Sequence, residues 1–229
     1  GRIGRMRKYN PYRNVFFYYR GASSWRDREA DKQIEDNTTK ALINTLENCS
    51  LPILKRFLDK AGISVNALEK PYYDLQVAEG SSRPDALIQI GDLTIFIESK
   101  VNSRLEETQI QRHLSAINNG FLVCITRRDD DKAIISRINE KKVKFLTWRE
   151  AYLTFQSQLS GAKDEKENFL IRQFLEYLEE INMAPFNGWN KKDFEAFLNI
   201  EEDQERTLRL RVKEKLTQYL KELKDLLKQ

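Results

Sequence analysis

Arg83-Pro84-Asp85-Ala86-Leu87-Ile88-Gln89-Ile90-Gly91-Asp92-Leu93-Thr94-Ile95-Phe96-Ile97-Glu98-Ser99-Lys100 is the stretch that decides how this chain is read. Two alternating runs flank Gly91-Asp92, a pair suited to a two-residue hairpin turn. With the turn there, facing residues carry numbers that sum to 183, so Asp85 stands opposite Glu98. Strand side chains return to one face every second residue, which puts Lys100 on the face of Glu98. The other face reads Ala86, Ile88, Ile90, Leu93, Ile95, Ile97 and Val101, a core face. Two carboxylates directly across a hairpin repel each other, so the pattern asks for a cation between them. That is the outline of a metal site. The plain alternative is a surface hairpin whose Asp, Glu and Lys form a salt-bridged polar face.

Pro84-Asp85 and Glu98-Ser99-Lys100 resemble the signature of the PD-(D/E)XK nucleases, the restriction-endonuclease-like superfamily. Two further segments extend the resemblance. Leu105-Glu106-Glu107-Thr108-Gln109-Ile110-Gln111-Arg112-His113-Leu114 is similar to the helix of that family in which a glutamine leans toward the lysine. Ile34 to Leu42 is similar to the first core helix, where an acidic residue often adds a ligand or a water contact. The likeness spans residues 27 to 182. It implies that Asp85 and Glu98 hold a metal, with the Ser99 carbonyl as a third ligand. It implies further that Lys100 orients the nucleophile, that Gln109, rather than Gln111, is the helix glutamine, and that Glu35 is the added acid. Hard oxygen donors of this kind suit Mg²⁺ or Mn²⁺.

The activity implied is metal-dependent hydrolysis of phosphodiester bonds, endonuclease rather than exonuclease, with DNA favoured over RNA. Prokaryotic defence, restriction or repair is the setting the likeness suggests. Cutting both strands of a duplex normally takes two active sites, so a homodimer is expected. Two other readings compete: a non-catalytic nucleic-acid-binding module, and an interaction protein that recruits a partner through its C-terminal helix.

Composition is compatible with all three. The 229 residues are 40% apolar, enough for one sizeable core. A net charge of +4, from 39 basic and 35 acidic residues, suits nucleic acid without singling it out. No run approaches a membrane span and no signal-peptide pattern opens the chain, so a cytoplasmic location is expected. Cys49 and Cys124 read as core thiols in a reducing compartment rather than a zinc or disulfide framework. His113 is the only histidine, which rules out a multi-histidine metal site. It reads as structural or partly exposed, with a phosphate contact as the alternative. Position 1 is not Met and the last helical pattern has no cap, so the chain is read as a fragment of a longer protein.

Three regions are expected: a basic and aromatic arm over 1–24, the α/β core over 25–183, and a helical extension over 184–229. The first 20 residues hold Arg7, Lys8 and Arg13 among aromatics and no acid, a mixture that binds phosphates and stacks on bases. Val15 to Tyr19 also reads as an edge strand or a strap on the core. Arg83, Arg127 and Arg128 are further candidates for phosphate contact, the last two at the end of an apolar strand, Phe121 to Thr126. The order of helices, hairpin strands, helix, strand, helix, strand predicts a mixed β-sheet flanked by helices, the restriction-endonuclease-like architecture. Thr147 is placed to cap a helix beginning at Trp148. Met183 to Trp189 breaks the helical run. Beyond it Val212, Leu216, Tyr219, Leu223 and Leu226 trace a heptad seam, expected to pack on this chain or to pair with a second subunit.

Overall fold

The alternating run folds as the hairpin its spacing predicts in the computed structural model of the protein, which describes residues 14–17, 28–66, 69–76, 82–159, 164–186, 188 and 205–226. Strand β2 (Ala86–Ile90) pairs antiparallel with β3 (Leu93–Lys100). The pairs Ala86–Ile97, Leu87–Phe96, Ile88–Ile95, Gln89–Thr94 and Ile90–Leu93 all carry the predicted register. Gly91 takes φ +56 at the first central position of the turn, a left-handed value that side chains with a Cβ resist. Strand β1 (Tyr72–Leu75) adds antiparallel to β2, and β4 (Gly120–Thr126) and β5 (Val143–Thr147) add parallel to β3. Among the described residues the sheet is five-stranded, mixed, and ordered β1-β2-β3-β4-β5.

Helices cover both faces because the strands are apolar on both. Helices α1 (Arg28–Asn48), α2 (Leu51–Lys60), α5 (Trp148–Gln156) and α6 (Glu165–Glu180) pack on the face of Ile88, Ile95, Ile97, Val123 and Ile125. Helices α3 (Glu107–Ala116) and α4 (Lys132–Ile138) cover Leu87, Phe96, Leu122 and Cys124 on the other. The continuous apolar run in β4 is the mark of a central strand buried on both sides. Its parallel neighbours require crossovers, which α3 and α4 supply. Thr147 closes β5 and opens α5 in a full capping box: its side chain accepts from Glu150 N at 3.1 Å, and Glu150 Oε2 accepts from Thr147 N at 2.9 Å. Thr147→Ala should cost about 1 kcal/mol in urea unfolding, the usual worth of such a cap.

Other expectations meet the structure unevenly. Of the arm, 14–17 are described, and they form a turn strapped onto the core. Phe16 stacks edge-on against Phe174, Phe17 against Tyr177, and Asn37 Nδ2 donates to Phe16 O at 2.7 Å. Over the described residues 14–17 that is the strap rather than an edge strand. Arg7, Lys8 and Arg13 lie outside the described residues. Cys124 is buried as a core thiol, whereas Cys49 is only half-buried, and both are free. The C-terminal helix α7 (Glu205–Leu226) meets the rest of the chain through polar side chains and one aromatic contact. Gln218 donates to Ala184 O, Glu222 accepts from Phe186 N at 3.0 Å and pairs with Arg149 at 3.2 Å, and Lys221 pairs with Asp129. Tyr219 of the seam packs on Phe186 at 5.0 Å between ring centroids, while Leu216 and Leu223 stay exposed. No helix among the described residues is long and apolar enough to cross a membrane.

Candidate functional site

Four segments converge where β3 leaves the sheet core. The register that pairs Ala86 with Ile97 continues one step to Asp85 and Glu98, and Ser99 N donates to Asp85 Oδ2 at 2.8 Å. Glu98 is 0% exposed, and a carboxylate buried that deeply must be compensated. Its Oε1 receives Lys100 Nζ at 2.6 Å and Gln109 Nε2 at 2.7 Å. Its Oε2 faces His113 Nε2 at 3.0 Å. Gln109 and His113 are four residues apart on α3, so both reach the same carboxylate from one helix face. His113 Nδ1 in turn meets Ser82 Oγ at 2.6 Å, on the segment leading into Asp85.

Helix α1 secures the strand from the opposite face. Ser99 points away from Glu98 and its hydroxyl lies 2.6 Å from Thr39 Oγ1. Glu35 Oε1 accepts from the amides of Val101, Asn102 and Ser103 at 3.1, 3.2 and 3.0 Å, and from Ser103 Oγ at 2.8 Å. Three successive amides aimed at one oxygen make an anion-binding concavity, filled here by the chain's own acid. Glu35 therefore holds the turn after β3 beside the site, a structural duty the sequence did not reveal.

Comparison with family models, curated proteins and solved structures finds no match to this chain. The site's chemistry is thus argued from its own groups.

Burial, and then the neighbouring charge of Glu98, push the Asp85 carboxyl from its ordinary 3.8 up to about 7, against the opposing pull of the Ser99 amide and Lys100. Burial disfavours the Lys100 ammonium, but Glu98, Asp85 and Glu35 outweigh it and raise that group above the ordinary lysine range. Two acids and one ammonium leave a site in which Asp85 gives up its proton reluctantly. A divalent cation between the carboxylates would reverse the repulsion that causes this. Asp85 and Glu98, with backbone carbonyl and water oxygens, are a donor set that fits Mg²⁺ or Mn²⁺. Among the described residues no group of three or more His, Cys, Asp or Glu side chains is arranged to hold a metal, so a cation here would draw its side-chain ligands from the acidic pair alone.

A pH dependence follows. The carboxyl of Asp85 binds its proton more tightly folded than unfolded, so its contribution favours the folded chain at low pH and is lost as pH rises through about 7. In metal-free buffer the contribution of Asp85 lowers the melting temperature from about pH 5 to about pH 8, and Asp85→Asn should remove that component of the slope. Identical slopes in thermal melts of the two proteins would refute the assignment.

The basic candidates separate. Arg83 is exposed and donates to Gln76 Oε1 at 2.9 Å, and Arg128 is exposed beside the strand end. Arg127 instead donates to Ile181 O at 2.9 Å, which ties β4 to the end of α6. Its neighbourhood to Lys100 is direct, since Arg127 N donates to Lys100 O at 3.0 Å. His113, read from sequence as structural, sits inside the site. The available signal was its spacing of four from Gln109.

Proposed function

We propose that this protein is a divalent-metal-dependent nuclease that hydrolyses phosphodiester bonds, acting as an endonuclease with DNA preferred over RNA. One observation carries the reading: a carboxylate pair set across a hairpin, with Lys100 Nζ 2.6 Å from Glu98 Oε1. The mixed sheet, with an antiparallel meander joined to parallel strands through α3, supports the finer restriction-endonuclease-like assignment that the motif suggests.

Asp85, Glu98 and the Ser99 carbonyl would hold Mg²⁺ or Mn²⁺. When bound, the metal supplies Lewis acidity at the scissile phosphate and a water of lowered pKa. Lys100, kept charged by its acidic neighbours, donates hydrogen bonds to the attacking water or to a phosphate oxygen. Gln109 holds Glu98 Oε1 from α3, and Glu35 keeps the turn after β3 in place. Arg83 and Arg128, exposed nearby, suit contacts to the phosphate backbone. Double-strand cleavage would call for a homodimer, and defence, restriction or repair is the setting the motif suggests.

Linear and circular DNA and single-stranded RNA, incubated with Mg²⁺, Mn²⁺ or EDTA, test the proposal. Metal-dependent products, with nicked or linearised circles from DNA, are expected. No cleavage of any substrate with either metal would remove the reading. A second reading, an interaction protein working through α7, has the exposed Leu216, Leu220 and Leu223 behind it.

A further inference from the structure

We infer that His113 is a positioning residue that locks Glu98 to the segment carrying Asp85, and so sets the spacing and orientation of the two carboxylates for a divalent cation. The inference rests on the proposed role of Asp85 and Glu98 as metal ligands. It goes beyond that role by assigning Ser82 and His113 a part in metal affinity.

The imidazole bridges two segments distant in sequence. Nδ1 is 2.6 Å from Ser82 Oγ, three residues ahead of Asp85, and Nε2 is 3.0 Å from Glu98 Oε2. A carboxylate only accepts, so Nε2 carries the hydrogen toward Glu98, and in the neutral ring Nδ1 accepts from the Ser82 hydroxyl. Phe96 stands edge-on to the ring at 6.4 Å and helps fix its plane. Oε2 is thereby committed to α3. Oε1, shared by the ammonium of Lys100 and the amide of Gln109, is the oxygen left to exchange its partners for a cation. Loss of a hydrogen bond that orients a ligating carboxylate in this way typically costs about 10- to 100-fold in metal affinity.

A serine, a histidine and an acid in contact also compose a hydrolytic triad. Here Ser82 is 3% exposed and His113 2%, and the acid's other oxygen is already shared by two donors. The chain ends in a closed network rather than at a reachable nucleophile, which favours positioning.

The test compares Mn²⁺ binding, by calorimetry and by the electron paramagnetic resonance of free Mn²⁺, in wild type, Asp85→Asn, His113→Asn, His113→Gln and Ser82→Ala, each checked for folding by circular dichroism. Gln places an amide nitrogen where Nε2 stands and keeps the Glu98 contact, whereas Asn reaches only the Ser82 side. His113→Asn should weaken Mn²⁺ binding about 10- to 100-fold and His113→Gln by less than about 3-fold, with Ser82→Ala between them. Equal affinity in the Asn and Gln variants, whether strong or weak, overturns the inference, as does wild type that binds no Mn²⁺ through Asp85. Cleavage is scored separately on the same samples. Asp85-dependent Mn²⁺ binding that His113→Asn weakens, in a protein that cuts no nucleic acid, keeps this inference and removes the nuclease reading.

Discussion

Asp85→Asn should slow metal-dependent cleavage of nucleic acid by about 10²- to 10⁴-fold, the range spanned by the loss of a group that acts on the transition state. The fold should survive the change. The raised carboxyl pKa means that Asp85 is held in the folded chain at a cost above pH 7, through burial and through the charge of Glu98. An amide of the same shape removes that cost, and its oxygen can still accept from Ser99 N. The variant is therefore expected to melt at or above the wild-type temperature at pH 8 without metal while being nearly inert. Loss of activity with gain of stability distinguishes a functional acid from a structural one. A salt-bridged surface hairpin predicts the reverse. Lys100→Ala is the companion experiment with a different signature. It should be as inert, but it leaves Glu98 buried with only Gln109 and His113, and the unpaired charge should cost on the order of 3 kcal/mol. Cleavage by Asp85→Asn at the wild-type rate would end the metal-site reading.

How much of this was legible in the sequence differs from residue to residue. The hairpin register was fully legible, because Gly91-Asp92 fixes the turn and a slip by one residue would send Ile88, Ile95 and Ile97 to the wrong face. Thr147 was legible because a cap is a local device, complete within four residues. Gln109 was legible as a site residue, although it donates to Glu98 rather than to the lysine. His113 offered only its spacing of four from Gln109, since the burial of a lone histidine depends on how α3 settles on the sheet. Glu35, expected as an added acid of the site, instead accepts from three amides after β3, a role that depends on a tertiary turn. The heptad seam was legible in part, since its Tyr219 packs on Phe186 while Leu216 and Leu223 stay exposed. Gln218 and Glu222 of α7 add contacts through a backbone carbonyl, a backbone amide and Arg149, which hydrophobic periodicity does not register.

Gly120→Ala is expected to be the most damaging small substitution at a strand end, costing about 3 kcal/mol or more in urea unfolding. Gly120 opens β4 opposite Thr94, and a Cβ there would stand 1.7 Å from the Thr94 carbonyl oxygen. The obstacle is backbone, so no side chain can swing aside. The chain is also pinned at this point, because Thr94 N donates to Asn119 O at 2.9 Å. Relief requires moving β4 away from β3, the junction between the antiparallel and parallel halves of the sheet. That junction aligns Glu98 with Cys124 and Lys100 with Thr126, so the site feels the same displacement. Gly91→Ala is the control. Its left-handed φ of +56 costs roughly 1–2 kcal/mol, but the nearest obstacle is the carboxylate of Glu69, a flexible side chain on the surface. Gly91→Ala should keep Mn²⁺ affinity, whereas Gly120→Ala, studied where it remains folded, should lose it together with stability. Equal stability of the two variants would mean that the β3–β4 junction yields more easily than its backbone contacts imply, and would remove the link drawn here between sheet register and metal site.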